Sequence, residues 1–274
     1  MPTSSQKISA FRQTVRAHAR TRKRITMPWR ATRDPYAILV SEFMLQQTQV
    51  ERVISYYESF LARFPDFASL ATASNVEVLT AWQGLGYNRR ALNLKKTAEA
   101  VIREFDGVLP KDIAALEKLP GVGPATAGAI TVFAFNAPSV FIETNIRRVF
   151  LYHFFPRARA VNDRTILPLI AAAHPRKNPR AWYYALMDYG AALGKQAHRN
   201  PNQRSRHYTN QGRFTGSNRE LRGRIIRILL EKHTLTASSL AKQLGESVTR
   251  LAPLLAALRN EKFIQKNGKY LSLT

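Results

Sequence analysis

From Ile38 to Phe155 apolar residues recur at helical spacing, broken at Pro65, at Gly84 to Gly86, between Asp106 and Pro110, and from Pro120 to Gly123. Alternation of period two is scarce there, so the stretch predicts helices joined by short loops. A second helical stretch runs from about Arg164 to Leu193. The periodicity then stops: Lys195 to Ser217 reads KQAHRNPNQRSRHYTNQGRFTGS, basic and polar, and predicts a linker over 195–217. Residues 218–274 resume with helices over 219–232 and 247–260, a shorter helix starting near Thr236, and two short strands, 262–265 and 269–272, joined by Asn267-Gly268. Helix, helix, helix, hairpin is a winged-helix-like order, so the expected class is mainly α with a small C-terminal module.

Charge narrows the partner. The 42 Lys and Arg against 18 Asp and Glu leave +24, far beyond what solubility requires, and such an excess predicts a polyanion. Nucleic acid fits; a generally basic or ribosome-associated protein fits the charge too. The first 40 residues carry nine of the cations, including Arg22, Lys23 and Arg24, against the single acid Asp34. No apolar run approaches the roughly 18 to 20 residues that span a bilayer, and the N-terminus lacks the apolar core of a signal peptide. A monomer in the cytoplasm, associated with the nucleoid, is expected. The absence of cysteine excludes disulfides, thiolate nucleophiles and thiolate-held iron-sulfur clusters. His198 and His207 in the linker are not read as ligands.

Two segments bear candidate chemistry. LPGVGPATAGAI, Leu119 to Ile130, sets Gly121 and Gly123 around Val122 before a helix beginning at Pro124. A backbone without side chains at those glycines can approach a phosphate, and the new helix aims free N–H groups at an anion. An ordinary interhelical turn would carry the same GxG. The second is PWRATRDPYAILVSEFMLQQTQV, Pro28 to Val50, where Glu42 lies among Val40, Phe43, Met44 and Leu45. A lone Glu in an amphipathic helix is usually solvated; in so apolar a helix partial burial would raise its pKa, as a general acid needs.

With WQGLGYNRRALNL, Trp82 to Leu94, and FIETNIRRV, Phe141 to Val149, these strings resemble the helix-hairpin-helix DNA glycosylases and, among them, the adenine DNA glycosylase (MutY-like) family, over roughly residues 25–195. The resemblance implies a two-lobed helical fold within 1–194, a six-helix lobe over about 38–136 and a second lobe from 1–37 plus 139–194, with double-stranded DNA carrying a mismatch or lesion as partner. It implies Glu42 as the acid that protonates the base, Glu143 in place of a family Asp that supports the sugar cation, and Asn145 beside it; Glu143 could instead cap its helix or pair with Arg147. Trp29 and Arg30 match pocket-lining positions, Gln47 and Tyr87 match residues inserted into the duplex, and Gly121, Val122, Gly123 and Thr126 belong to the DNA-holding hairpin. Trp29, Gln47 and Tyr87 are also compatible with core or surface roles.

Departures matter as much. Ala125 stands where lyase members have a Schiff-base lysine, so an enzyme without lyase activity is expected. The family's first cluster cysteine would fall at Gly194, so no iron-sulfur cofactor is expected. Tyr184 replaces a Gln or Glu that meets the adenine edge, which leaves removal of thymine or uracil opposite guanine as an alternative. A catalytically silent DNA-binding protein is the alternative of another class.

Overall fold

The computed structural model describes residues 4–21, 27–175, 177–196, 199–210 and 212–274; Arg22, Lys23, Arg24 and His198 lie outside the described residues. In chain order the helices are α1 (Ser4–Thr21), α2 (Pro28–Ala31), α3 (Pro35–Leu45), α4 (Val50–Arg63), α5 (Phe67–Thr72), α6 (Asn75–Ala81), α7 (Arg89–Phe105), α8 (Ile113–Lys118), α9 (Pro124–Phe135), α10 (Thr144–Phe154), α11 (Asp163–Ala173), α12 (Pro179–Gln196), α13 (Asn218–Lys232), α14 (Ala237–Leu244) and α15 (Val248–Asn260). Strands β1 (Thr234–Thr236), β2 (Ile264–Asn267) and β3 (Tyr270–Leu273) form one antiparallel sheet in the order β1-β3-β2. No described helix is long and apolar enough to cross a membrane.

The chain groups into two compact units, Met1–Glu42 with Leu109–Asn210, and Phe43–Val108 with Gln211–Thr274. This division differs from the lobes expected at 38–136 and 139–194. The reason lies in α9, which is apolar on nearly every side: its Ala129, Val132 and Phe133 pack with Phe141, Ile146, Phe150, Trp182 and Tyr183, drawing the hairpin into the first unit. Gly128 permits the approach, since a Cβ there would lie 2.7 Å from the Phe141 Cβ. The basic helix α1 belongs to the same core through Phe11 and Val15. Its Arg12 donates to the carbonyls of Ala172 (2.8 Å) and Ala173 (3.0 Å), occupying orphan acceptors at the end of α11.

The expected linker over 195–217 is corrected in its first part. Residues 201–204 form a 3-10 turn against the body, with Pro201, Asn202 and Ser205 buried. Val161 and Ser205 form a parallel bridge, the Val161 N–H donates to the Arg204 carbonyl (2.8 Å), and the Arg206 N–H donates back to the Val161 carbonyl (2.9 Å). The Asn202 amide donates to the Thr144 carbonyl (3.0 Å) and the Ser205 hydroxyl accepts from the His207 N–H (3.0 Å), contacts that composition does not reveal.

In the second unit, residues 218–274 form the expected three helices and hairpin. The hairpin turn comes one residue later than expected: Asn267 pairs with Tyr270, leaving Gly268 (φ +58°) and Lys269 as the loop. The module is joined to residues 43–108 rather than separate, through Arg89 paired with Glu261 (2.7 Å), a carboxylate that Arg222 of the module also holds (2.6 Å), and through Arg219 donating to the Tyr87 hydroxyl (2.8 Å).

Candidate active site

Helix α3 begins where Asp34 accepts from the N–H groups of Tyr36 and Ala37, both at 3.1 Å. Its residues Tyr36 to Ser41, Phe43 and Met44 are all buried, so Glu42 enters a protein-walled environment while keeping part of its surface accessible. Desolvation first, and repulsion from Glu143 second, push the Glu42 carboxyl up to about 8, and among the described residues neither is offset by a hydrogen bond or a cation. Glu42 therefore carries a proton at neutral pH.

Glu143 is held from a different direction. It is the N-cap of α10, its Oε1 accepting from the Ile146 N–H at 2.6 Å and its Oε2 from the Asn145 amide at 3.3 Å. Burial raises its pKa, while these N–H groups and the nearby Arg147 and Arg148 favour the carboxylate. The expected alternative of a cap is realised; the pairing with Arg147 is not, because Arg147 forms a two-pronged pair with Asp163 (2.7 and 2.6 Å). The two acids thus differ: Glu42 has only repulsion and desolvation, Glu143 has donors. Where two carboxyls interact, the one without donors keeps the proton.

Asn145 is fixed by Arg148, which donates to its Oδ1 (2.8 Å), to the Gly190 carbonyl (2.8 Å) and to the Asn200 side chain (3.2 Å). Gly190 is required there, since a Cβ would lie 2.3 Å from the Asn145 carbonyl oxygen. At Gly194 a Cβ would lie 2.8 Å from the Arg148 guanidinium carbon. The residues present therefore do not fit a thiolate-held iron-sulfur cluster: the chain has no cysteine, and Arg148 packs against position 194.

Tyr184 of α12 stacks on Phe133, with ring centroids 4.5 Å apart and planes 4° from parallel. The Arg30 guanidinium covers Tyr184 at 4.5 Å and is gripped by Asp188 through two bonds of 2.9 and 2.7 Å. Burial raises the Tyr184 pKa, and both Arg180 and Glu42 act on it, so the phenol belongs to the electrostatic surroundings of Glu42. Trp29 is buried at 4% exposure, which leaves little ring surface for a ligand. Asp188 and Arg180 escaped sequence reasoning; the one usable signal was an acid in the otherwise apolar and aromatic YYALMDYG run.

The hairpin turn lies between α8 and α9, anchored by buried Leu119 and Val122. Gly121 adopts φ +81°. Gly123 is the N-cap of α9 with no capping side-chain bond and nothing within 4 Å of where a Cβ would stand. Thr126 is half-buried in the first turns of α9, and Ala125 beside it carries no amine.

In the second unit Gln47 (φ +56°) and Tyr87 (φ +48°) both hold left-handed backbone that non-glycine residues rarely adopt. Buried Arg90, also missed from sequence, organises both segments: it donates to the carbonyls of Phe43 (2.8 Å) and Met44 (2.7 Å), to the Thr48 hydroxyl (2.9 Å) and to the Gly86 carbonyl (2.9 Å). Burial lowers its pKa to about 10, so it remains charged.

Residues 40–166 match the HhH-GPD superfamily of base excision DNA repair proteins. A protein of Mycobacterium tuberculosis named adenine DNA glycosylase is 34% identical over 228 residues, covering 74% of this chain and 73% of its own length. The chain belongs to the HhH-GPD superfamily. Adenine DNA glycosylases of Buchnera aphidicola and Mycolicibacterium smegmatis are each 39% identical, over 62% and 61% of this chain; matched segments span 49% and 58% of those proteins, so the chain covers about half their length. The HhH-GPD fold recurs in a thermostable thymine-DNA glycosylase (TM-score 0.65, 27% identity, 73% of this chain and 93% of that one). It recurs also in an endonuclease III bound to DNA (TM-score 0.61, 19% identity, 72% and 90%).

Proposed function

We propose that this protein is a monofunctional DNA glycosylase of base excision repair that hydrolyses the N-glycosidic bond of a flipped adenine opposite 8-oxoguanine or guanine, acting as a monomer on double-stranded DNA. The observation that carries the reading is the pairing of protonated Glu42 with donor-held Glu143 in one unit of the fold. Glu42 gives its proton to the exposed ring nitrogen of the purine. The bond from base to C1′ then breaks, its electrons leave with the base, and the Glu143 carboxylate supports the sugar cation. Water adds to C1′, and its proton restores Glu42. Asn145 holds Glu143 in place; Arg30 and Tyr184 wall the base pocket, and Trp29, next to Arg30 in sequence, is buried. Gln47 and Tyr87 fill the gap left in the duplex, their strained backbone being typical of residues held for function. Gly121, Val122, Gly123 and Thr126 present the start of α9 to a phosphate. Proton, carboxylate and water complete this reaction, so it calls for no cofactor, and Ala125 supplies no amine for strand cleavage.

A second reading, excision of thymine or uracil opposite guanine, is favoured by Tyr184, whose phenol offers one donor to the base edge, and by the likeness to the thymine-DNA glycosylase. One panel of labelled duplexes decides between them: adenine opposite 8-oxoguanine, adenine opposite guanine, and thymine or uracil opposite guanine, each followed by alkali. Release of adenine alone, with strand breaks only after alkali, is expected. Release of pyrimidine instead establishes the second reading, and no release from any duplex leaves a DNA-binding protein.

A further inference from the structure

Three of the cations on α13 are engaged within the second unit. On α13, Arg222 is paired with Glu261, Arg224 donates to the Leu244 carbonyl (3.0 Å), and Arg219 donates to Tyr87 and to the Gly212 carbonyl (2.8 Å each). These cations hold the module together and to its own unit. A different set surrounds a groove of about 530 Å³ between α15 and the β2–β3 hairpin: Arg259 from α15, Lys266 from β2 and Lys269 from the turn, all exposed. Ala252 and Ala256 of α15 and Ser238 in the first turn of α14 also line it. Among the described residues, no carboxylate lines it.

We propose that this groove is a second DNA-binding surface, which grips the phosphodiester backbone of duplex DNA through Arg259, Lys266 and Lys269. Three cations without a neutralising acid form a site of high positive potential, and a phosphate backbone is the polyanion that releases counterions on meeting it. The small side chains of Ala252 and Ala256 in its lining let a strand approach closely. Among the described residues none that lines the groove is aromatic, and the exposed Tyr270 ring beside it carries the Lys269 ammonium 5.6 Å from its centroid, which favours a duplex backbone over a stack of unpaired bases. The assignment rests on the DNA-binding half of the proposed function and is independent of base excision.

The test is a salt titration of binding to an undamaged duplex, read by fluorescence anisotropy on the full chain. Three proteins are compared: the parent, Arg259→Ala/Lys266→Ala/Lys269→Ala, and a charge-matched control, Lys7→Ala/Lys96→Ala/Lys177→Ala, whose sites are exposed and scattered. At about 0.9 per phosphate contact, the groove variant is expected to flatten the slope of log K against log salt by roughly 2 to 3. The control should flatten it by less than about 1. Lys266→Glu/Lys269→Glu, checked for an unchanged melting curve, should weaken binding further. A steep parent slope left unchanged in the groove variant, as when the groove takes an acidic protein segment instead, or equal losses in variant and control, overturns the groove assignment alone. A parent slope near zero overturns the DNA-binding reading itself.

Discussion

Two helix starts in the same unit meet the same electrostatic demand in opposite ways. The first N–H groups of any helix lack partners and present partial positive charge. At α9 the N-cap is exposed Gly123, no side chain caps the turn and no acid stands in it. At α10 the N-cap is Glu143, whose carboxylate binds the Ile146 N–H and lies near Glu42. In the proposed function the first start is completed by a phosphate from outside; the second carries its own anion, placed so that it also raises the pKa of a neighbour. The proposed function thus assigns grip and chemistry to different helix ends, and variants should separate them.

The largest effect is expected at α10's side. Glu42→Gln keeps the shape and removes the proton donor; single-turnover base release should fall by about 10³, within the range typical of general acids, with DNA affinity unchanged. Glu143→Gln still offers an oxygen to the Ile146 N–H but loses its charge. Release should drop about 10²-fold, and with the repulsion gone the alkaline limb of the pH–rate profile should move to lower pH. The smaller effect belongs to α9. A side chain at position 123 meets nothing in the fold, so Gly123→Val should melt like the parent yet bind duplex about tenfold more weakly, the equivalent of ~1.4 kcal/mol. Equal loss of binding in Glu42→Gln and Gly123→Val would dissolve the division.

A last effect is on stability. The native state holds the Glu42 proton up to about 8, whereas the unfolded chain releases it near 4.5, so Glu42 costs stability progressively as pH rises between those values. Gln does not titrate. Glu42→Gln should therefore melt with the parent near the lower pH and above it at the upper, by about 3 °C for each ~1 kcal/mol removed. Thermal melts across that window read the gap directly.

Much of this was legible in the chain. A single Glu inside the apolar run YAILVSEFML can lie only in a largely buried helix, and the capping acid of IETNIRR stands one residue before its helix. Arg90 and Arg30 were harder: in sequence they join a large basic excess, and only the structure shows one buried among carbonyls and the other clamped by Asp188. The grouping of α9 was hidden because a helix apolar all round displays no face. Residues 199–206 read as linker because their polar side chains are docked by hydrogen bonds to backbone, as when buried Asn202 donates to the Thr144 carbonyl at 3.0 Å and half-buried Arg204 to that of Leu151 at 3.2 Å.

Proton delivery by Glu42 is tested most directly by the rate of adenine release from an adenine–8-oxoguanine duplex under single turnover, followed from acid to alkaline pH. The rate should hold through neutrality and fall about tenfold per pH unit above about 8, where Glu42 loses its proton. A rate that stays level well beyond that point, or one already lost near an ordinary carboxyl pKa of about 4.5, contradicts it.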